Sequence, residues 1–247
     1  MITAAAALNE HAGYQDRAFV CSRLPSGRIG VRIPGFGPPI HDDSHDSAPH
    51  GAISLHDATV KSCNAYFAQL AVSVGADALT HTAARAGITL NTSSAANRVR
   101  ANLPHAGYGQ GEVVTTPLRI ARVAAALGTD GTIREAPIVT GVNPTVNTEF
   151  LPAADARTLA SYLRDAVLSG TGRQLKDHPA RIAGKTGTAE VDEANPHAWF
   201  AGFAPYGPAT RRIAFAVVLD NAGYGGIAAA RVAGEVATAA MSLGLIK

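Results

Sequence analysis

Apolar and polar positions follow more than one rhythm along this chain, and the change of rhythm organises it. Residues 2–9, Ile-Thr-Ala-Ala-Ala-Ala-Leu-Asn, are strong helix formers, apolar nearly all round, with no capping residue ahead of them. That composition reads as the tail of a buried helix. Residues 17–32 hold two short β-like stretches on either side of Pro25-Ser26-Gly27, the signature of a hairpin. Residues 34–49 are rich in Pro, Gly, Asp and His and read as a loop. Helical periodicity returns at 54–61 and 65–74, which flank Ser62-Cys63-Asn64, and at 77–86, stopped by Gly87. Residues 90–110 keep no period and are expected to be irregular. Thr116-Pro117 starts a helix, with a capping hydroxyl followed by proline at the first helical position, and it runs to Leu127 before Gly128. Residues 155–168 are amphipathic at helical spacing and end at Gly170.

After that the period changes. Residues 181–188, 198–204 and 213–219 read as strands. Ala-Trp-Phe-Ala-Gly-Phe-Ala and Ile-Ala-Phe-Ala-Val-Val-Leu are apolar on both faces, so their sheet is expected to be covered on both sides. A closing helix is expected over 227–243. Helices followed by a short antiparallel meander and a last helix make an α+β chain: an antiparallel sheet flanked by helices, with a mainly helical part over 52–130 and a sheet part over 131–247, in one domain of residues 1–247.

Composition narrows the function classes. Apolar residues make up 47% and charged residues 16%, enough to fill a core. The formal charge of +2 gives no ground for a nucleic-acid or anionic-membrane partner. No apolar run reaches the length of a membrane span. Residues 1–8 have no basic region before them and are ended by Asn9, Glu10 and His11, so they do not read as a signal peptide. Cys21 and Cys63 fit two small buried side chains or a disulfide, and the spacing does not choose.

Two short motifs carry chemistry. Lys185-Thr186-Gly187-Thr188 follows Gly184, and Gly184-Lys185-Thr186 matches the end of a phosphate-binding loop. That loop needs a further glycine where Pro179 stands and a helix directly after it, and neither is signalled. Ser62-Cys63-Asn64 by itself reads as a break where one helix stops and the next is capped. The order of the two is more specific, because serine acyl-transfer enzymes that recognise β-lactams use S-x-x-K, S-x-N and K-T-G in that sequence. Further segments agree: Pro49-His50-Gly51, Gly109-Gln110-Gly111 before Thr116-Pro117-Leu118, Ser169-Gly170-Thr171-Gly172, and His197-Ala198-Trp199-Phe200-Ala201-Gly202-Phe203-Ala204-Pro205.

With these segments the chain resembles the penicillin-binding transpeptidases over nearly its whole length. The resemblance implies a five-stranded antiparallel sheet whose amino-terminal strands are missing here, leaving three. It implies a peptidoglycan D,D-transpeptidase, in which a serine attacks the carbonyl between two D-alanines and an amine then takes the acyl group. Lys185 would supply a cation and Thr186 and Thr188 hydroxyls for the substrate carboxylate. Gly187 would leave room for substrate, and the Thr188 N–H would form half of an oxyanion hole. Ser62 would relay protons and Asn64 would hold the substrate amide, so Ser62, Asn64 and Lys185 are expected to share one cleft. The implied partners are a stem peptide, β-lactams and a glycosyltransferase or cell-wall synthesis complex, without nucleic acid and without a cofactor, and the implied location is extracytoplasmic.

The third motif is the exception. Lysines stand only at 61, 176, 185 and 247, and none follows a serine at the third position. In the resembling family S-x-x-K lies just ahead of a helix reading like residues 2–8, so the chain is expected to be truncated just after that motif and inactive alone. The rival readings are a β-lactamase or D,D-carboxypeptidase of the same superfamily, and a non-catalytic binding module. His41, Asp42, Asp43, His45, Asp46 and His50 crowd one loop, but their spacing fits no standard zinc pattern, and no metal is expected. Trp199 reads as core and Glu190 as surface.

Overall fold

The computed structural model describes residues 1–44, 46–89, 93–111, 113–135 and 147–247. The chain divides into two compact units, one of residues 2–84 with 88–114, the other of residues 115–247 with Met1 and 85–87.

The first unit opens with α1 (Ile2–Glu10), whose residues Thr3 to Leu8 are all buried. The hydroxyl of Thr3 donates to the Gly107 carbonyl at 2.6 Å, satisfying the one polar group on that face. Strands β1 (Phe19–Arg23), β2 (Ile29–Val31), β3 (Ile40–His41) and β4 (Gly51–Ile53) form a sheet of order β3-β2-β1-β4. The expected hairpin is β1–β2, paired antiparallel with Arg23 opposite Ile29. Two residues of the expected loop form β3 instead, because Val31 and Ile40 come into register and bury the Ile40 side chain.

Ser54 caps α2 (Leu55–Lys61) by accepting from the Asp57 N–H at 3.3 Å. Then come α3 (Asn64–Val74) and α4 (Ala76–Arg85). The expectation of an irregular stretch over 90–110 is corrected where it is described: α5 (Ser93–Ala101) and α6 (Leu103–Tyr108) are helical, while residues 90–92 lie outside the described residues. Tertiary contact forms α6. A Cβ on Gly107 would come within 2.5 Å of the Phe67 carbonyl oxygen, so α6 lies backbone-close on α3, an approach that only glycine permits.

The second unit begins with α7 (Pro117–Leu127), capped by Thr116 accepting from the Arg119 N–H at 3.4 Å. Strands β5 (Thr132–Arg134) and β6 (Asn147–Glu149) pair antiparallel as a two-stranded sheet without a sequence signal. Gly131, at φ +83°, enters it with its α-carbon against the Leu151 carbonyl, where a side chain has no space. Helix α8 (Ala153–Leu168) leads to the meander β7 (Ala183–Ala189), β8 (His197–Ala204) and β9 (Ile213–Leu219), antiparallel and in that order, and α9 (Ala228–Ser242) closes the unit. The fully buried Phe200 stacks on Phe215 with ring centroids 6.3 Å apart, and both rest against Ala229, Ala230, Ala233 and Ala237 of α9. Those alanines let the helix approach the sheet closely. Among the described residues no helix is long and apolar enough to cross a membrane.

Candidate active site

In the first unit, α2 ends at Ser62, which has φ 63° and ψ 40° and closes the helix by donating its N–H to the Ala58 carbonyl. A left-handed serine is uncommon and costs roughly 1–2 kcal/mol, so the turn is held by what surrounds it. Cys63 follows as the cap of α3, its sulfur accepting from the Tyr66 N–H at 3.3 Å. Asn64 is fixed at both ends. Its backbone N–H donates to Asp42 Oδ1, and its side-chain amide donates to the His41 carbonyl at 3.2 Å. The Ala65 N–H reaches the same Asp42 oxygen at 3.4 Å. A carboxylate from a distant loop therefore caps α3, where helix N–H groups and the dipole favour a negative charge.

The second oxygen of Asp42 holds both thiols. Cys21 donates to Oδ2 at 2.9 Å and Cys63 at 3.1 Å, and His50 Nδ1 stands 3.4 Å from the same atom. The other ring nitrogen of His50 faces Asp46 at 3.5 Å. Burial raises the Asp42 carboxyl pKa, but the bonds from His50, the two thiols and the Asn64 amide outweigh it and hold the group below its ordinary value. The His50 imidazole is pushed up, chiefly by its bond to Asp42. Cys63 is pushed up by its contact with Cys21, by burial and by the adjacent carboxylate. The cysteines are free thiols, so of the two sequence readings the small buried side chains describe them. Donor atoms of Cys21, Asp42, His50 and Cys63 all lie within 4.8 Å of one another. Two sulfurs, one imidazole and one carboxylate are the number and kind of donors that hold a tetrahedral thiophilic cation once the thiols lose their protons. The histidine–aspartate loop contributes only part of this set, because its partners Cys21 and Cys63 come from elsewhere in the chain; His45 lies outside the described residues.

In the second unit the K-T-G motif lies on β7, paired on one side with β8. A strand continuing through Ala189 takes the place of the helix that a phosphate-binding loop requires. Thr186 lies opposite Phe200 and Thr188 opposite Ala198, so the two threonines share one side of the strand and Lys185 and Gly187 the other. The Lys185 ammonium donates to the Thr186 carbonyl at 3.1 Å. Lys185 is half-buried, and burial lowers its pKa to about 7. A Cβ on Gly187 would sit 3.1 Å from Trp199 Cβ, so the glycine keeps that position thin. Trp199 is half-buried behind it rather than deep in the core, and Glu190 is exposed as expected.

Three residues near the motif carried no assigned role in the sequence. Thr171 pairs its hydroxyl with that of Thr186 at 2.6 Å. Gly225 donates its N–H to Thr188 Oγ1 at 3.4 Å and lies against the backbone of Gly187 and Trp199, where a Cβ would collide. Gly226 packs on the Thr171 carbonyl. The Ser-Gly-Thr-Gly spelling marked the first of these segments, while Gly225-Gly226 gave only the generic signal of a loop.

Residues 1–238 match the family model described as the penicillin binding protein transpeptidase domain. The peptidoglycan D,D-transpeptidase PbpA of Mycolicibacterium smegmatis is 29% identical over 90% of this chain and 49% of its own length. The peptidoglycan D,D-transpeptidase MrdA of Haemophilus influenzae is 28% identical over 76% of this chain and 36% of its own. The chain thus spans half or less of the length of these curated relatives. Among solved structures, a ceftriaxone acyl-enzyme complex of penicillin-binding protein A from M. tuberculosis superposes with a TM-score of 0.76 at 27% identity, over 97% of this chain and 58% of that one. The D,D-transpeptidase domain of a peptidoglycan glycosyltransferase from Eggerthella lenta shares the fold, with a TM-score of 0.78 at 23% identity, over 99% of this chain and 64% of that one.

Proposed function

Because the chain belongs to the penicillin-binding protein transpeptidase domain family, we propose that it supplies the substrate-holding side of a peptidoglycan D,D-transpeptidase, acting on stem peptides outside the cytoplasm. The observation that carries this reading is the edge strand Lys185-Thr186-Gly187-Thr188, whose two threonine hydroxyls lie on one side and are each hydrogen-bonded from a neighbouring segment. An extended peptide ending in a carboxylate can lie along such an edge, using main-chain hydrogen bonds for alignment and hydroxyls for its terminus. Lys185 contributes positive charge to the same terminus in its protonated form. Gly187 leaves the strand without a side chain where the peptide passes, and the Thr188 N–H serves as one donor to the developing oxyanion.

Ser62 and Asn64 take the remaining roles: Ser62 moves a proton toward the leaving nitrogen, and Asn64 orients the substrate amide. Asn64 suits this task because Asp42 and the His41 carbonyl fix it before substrate arrives. The attacking serine of such a reaction belongs to an S-x-x-K segment, and no lysine of this chain follows a serine at that spacing. β-Lactams, which resemble the D-alanyl-D-alanine terminus, are proposed as ligands of the same residues, and a cell-wall synthesis complex as the setting.

The test joins an S-x-x-K segment to the amino terminus and measures acylation by a fluorescent penicillin. Labelling at the added serine is expected, falling by about a hundredfold or more in Ser62→Ala, the range of a lost proton-transfer group, and falling also in Lys185→Ala, which removes the charge offered to the carboxylate. Equal labelling of both variants would exclude these roles.

A further inference from the structure

Thr186 and Thr188 are each approached from behind by one hydrogen-bonding group. Thr188 Oγ1 accepts the Gly225 N–H at 3.4 Å, and Thr186 Oγ1 lies 2.6 Å from the hydroxyl of Thr171. A threonine hydroxyl has one proton to give and two lone pairs to receive. Once the Gly225 amide occupies a lone pair of Thr188, the Thr188 proton is left to donate away from Gly225. The same holds for Thr186 when Thr171 donates to it. The two strand threonines then present two O–H donors on one side of β7, one for each oxygen of a carboxylate.

Thr171 is built for this position. It is exposed at the surface, yet its turn is fixed by the Gly172 N–H on the Ala166 carbonyl at 3.0 Å and the Arg173 N–H on the Gly170 carbonyl at 3.2 Å. On its other side Gly226 presses on the Thr171 carbonyl: a Cβ there would come within 2.6 Å of that oxygen and 3.7 Å of the Thr186 methyl group. The Gln174 side chain, with its amide nitrogen turned to the two carbonyls it faces, donates to Gly226 at 3.0 Å and to Ile227 at 3.2 Å. The turn, the Gly225-Gly226 segment and the strand therefore form one frame around the three hydroxyls.

We propose that Thr171 is a positioning residue for the substrate carboxylate: its hydroxyl donates to Thr186 and directs the Thr186 proton outward, as the Gly225 amide does for Thr188. The inference deepens the functional reading above and rests on it. Hydrogen bonds in series strengthen one another, so the Thr186 donor is also made stronger by the bond it receives.

The experiment is an NMR titration of the 247-residue chain with N-acetyl-D-alanyl-D-alanine and, separately, with its C-terminal amide, which keeps the peptide and removes the charge. In the wild type the free acid is expected to bind more tightly than the amide and to shift the resonances of Thr171, Thr186 and Thr188. Thr171→Val, which keeps shape and removes the hydroxyl, is expected to weaken the acid by about three- to tenfold, the scale of one net hydrogen bond, and to leave the amide unchanged. Thr171→Ser is expected to restore the acid. Equal loss of acid and amide in Thr171→Val would mean a merely structural role and overturn the proposal. Undiminished acid binding in Thr171→Val, beside loss in Thr186→Val, would also overturn it while leaving the functional reading intact. A wild type that does not distinguish acid from amide would overturn both.

Discussion

Replacing Asp42 by alanine is the sharpest test of how the Ser62-Cys63-Asn64 turn is held. The residue is 6% exposed, and its carboxylate accepts from the Asn64 and Ala65 amides on one oxygen and from both thiols on the other, with His50 beside it. Its loss removes the acceptor of the first two amides of α3, a capping contribution of about 0.5–2 kcal/mol, while Cys63 still caps Tyr66. It also leaves two thiols and the Nδ1 side of the His50 ring buried without their acceptor, and a buried polar group left unsatisfied costs about 1–3 kcal/mol. The effects overlap, so the expected destabilisation of the first unit is about 3–5 kcal/mol, a large share of the roughly 5–15 kcal/mol that domains keep. Asp42→Asn retains an oxygen for the cap and should lose less. Urea unfolding followed by circular dichroism measures the stability, and the Asn64 amide proton, which is bonded to the Asp42 carboxylate, reports the turn. An alanine variant that loses under about 1 kcal/mol, with the Asn64 amide unmoved, would refute the claim that Asp42 organises this motif.

Three further outcomes are expected. Burial lowers Lys185 to about 7 from an ordinary 10.5, so between those values the unfolded chain binds the extra proton and stability rises with pH; Lys185→Met should flatten that rise in thermal melts. The 247-residue chain should gain no mass on incubation with penicillin, because none of its lysines follows a serine at the third position, and an adduct on Ser62 in intact-mass spectrometry would reverse its assignment as a proton relay. Gly225→Ala drives a Cβ into the backbone of Gly187 and Trp199 and should cost about 1–3 kcal/mol in urea unfolding while speeding hydrogen exchange along β7.

Much of this was legible in the sequence, because local physics wrote it there. The cap-and-proline start at Thr116-Pro117 appeared as a helix since both signals act within a few residues. The meander was legible because strands buried on both faces need unbroken apolar runs, and residues 213–219 formed a strand with the expected ends. The order of Ser62-Cys63-Asn64 and Lys185-Thr186-Gly187-Thr188 pointed to the chemistry, since the residue types themselves carry it. What only the tertiary structure decided is non-local. Helix α6 forms because Gly107 can lie against the Phe67 carbonyl, a fact about two helices far apart in sequence. Asp42, one acid among several in a polar loop, becomes the cap of α3 and the partner of two cysteines only when the sheet of β1 to β4 brings that loop to the turn. Thr171 reaches Thr186, and Gly225 reaches Thr188, only once the chain has turned back on β7. Sequence patterns record which groups a residue offers and which backbone it favours; the partners of a carboxylate or hydroxyl depend on contacts between distant segments, and those exist only in the folded chain.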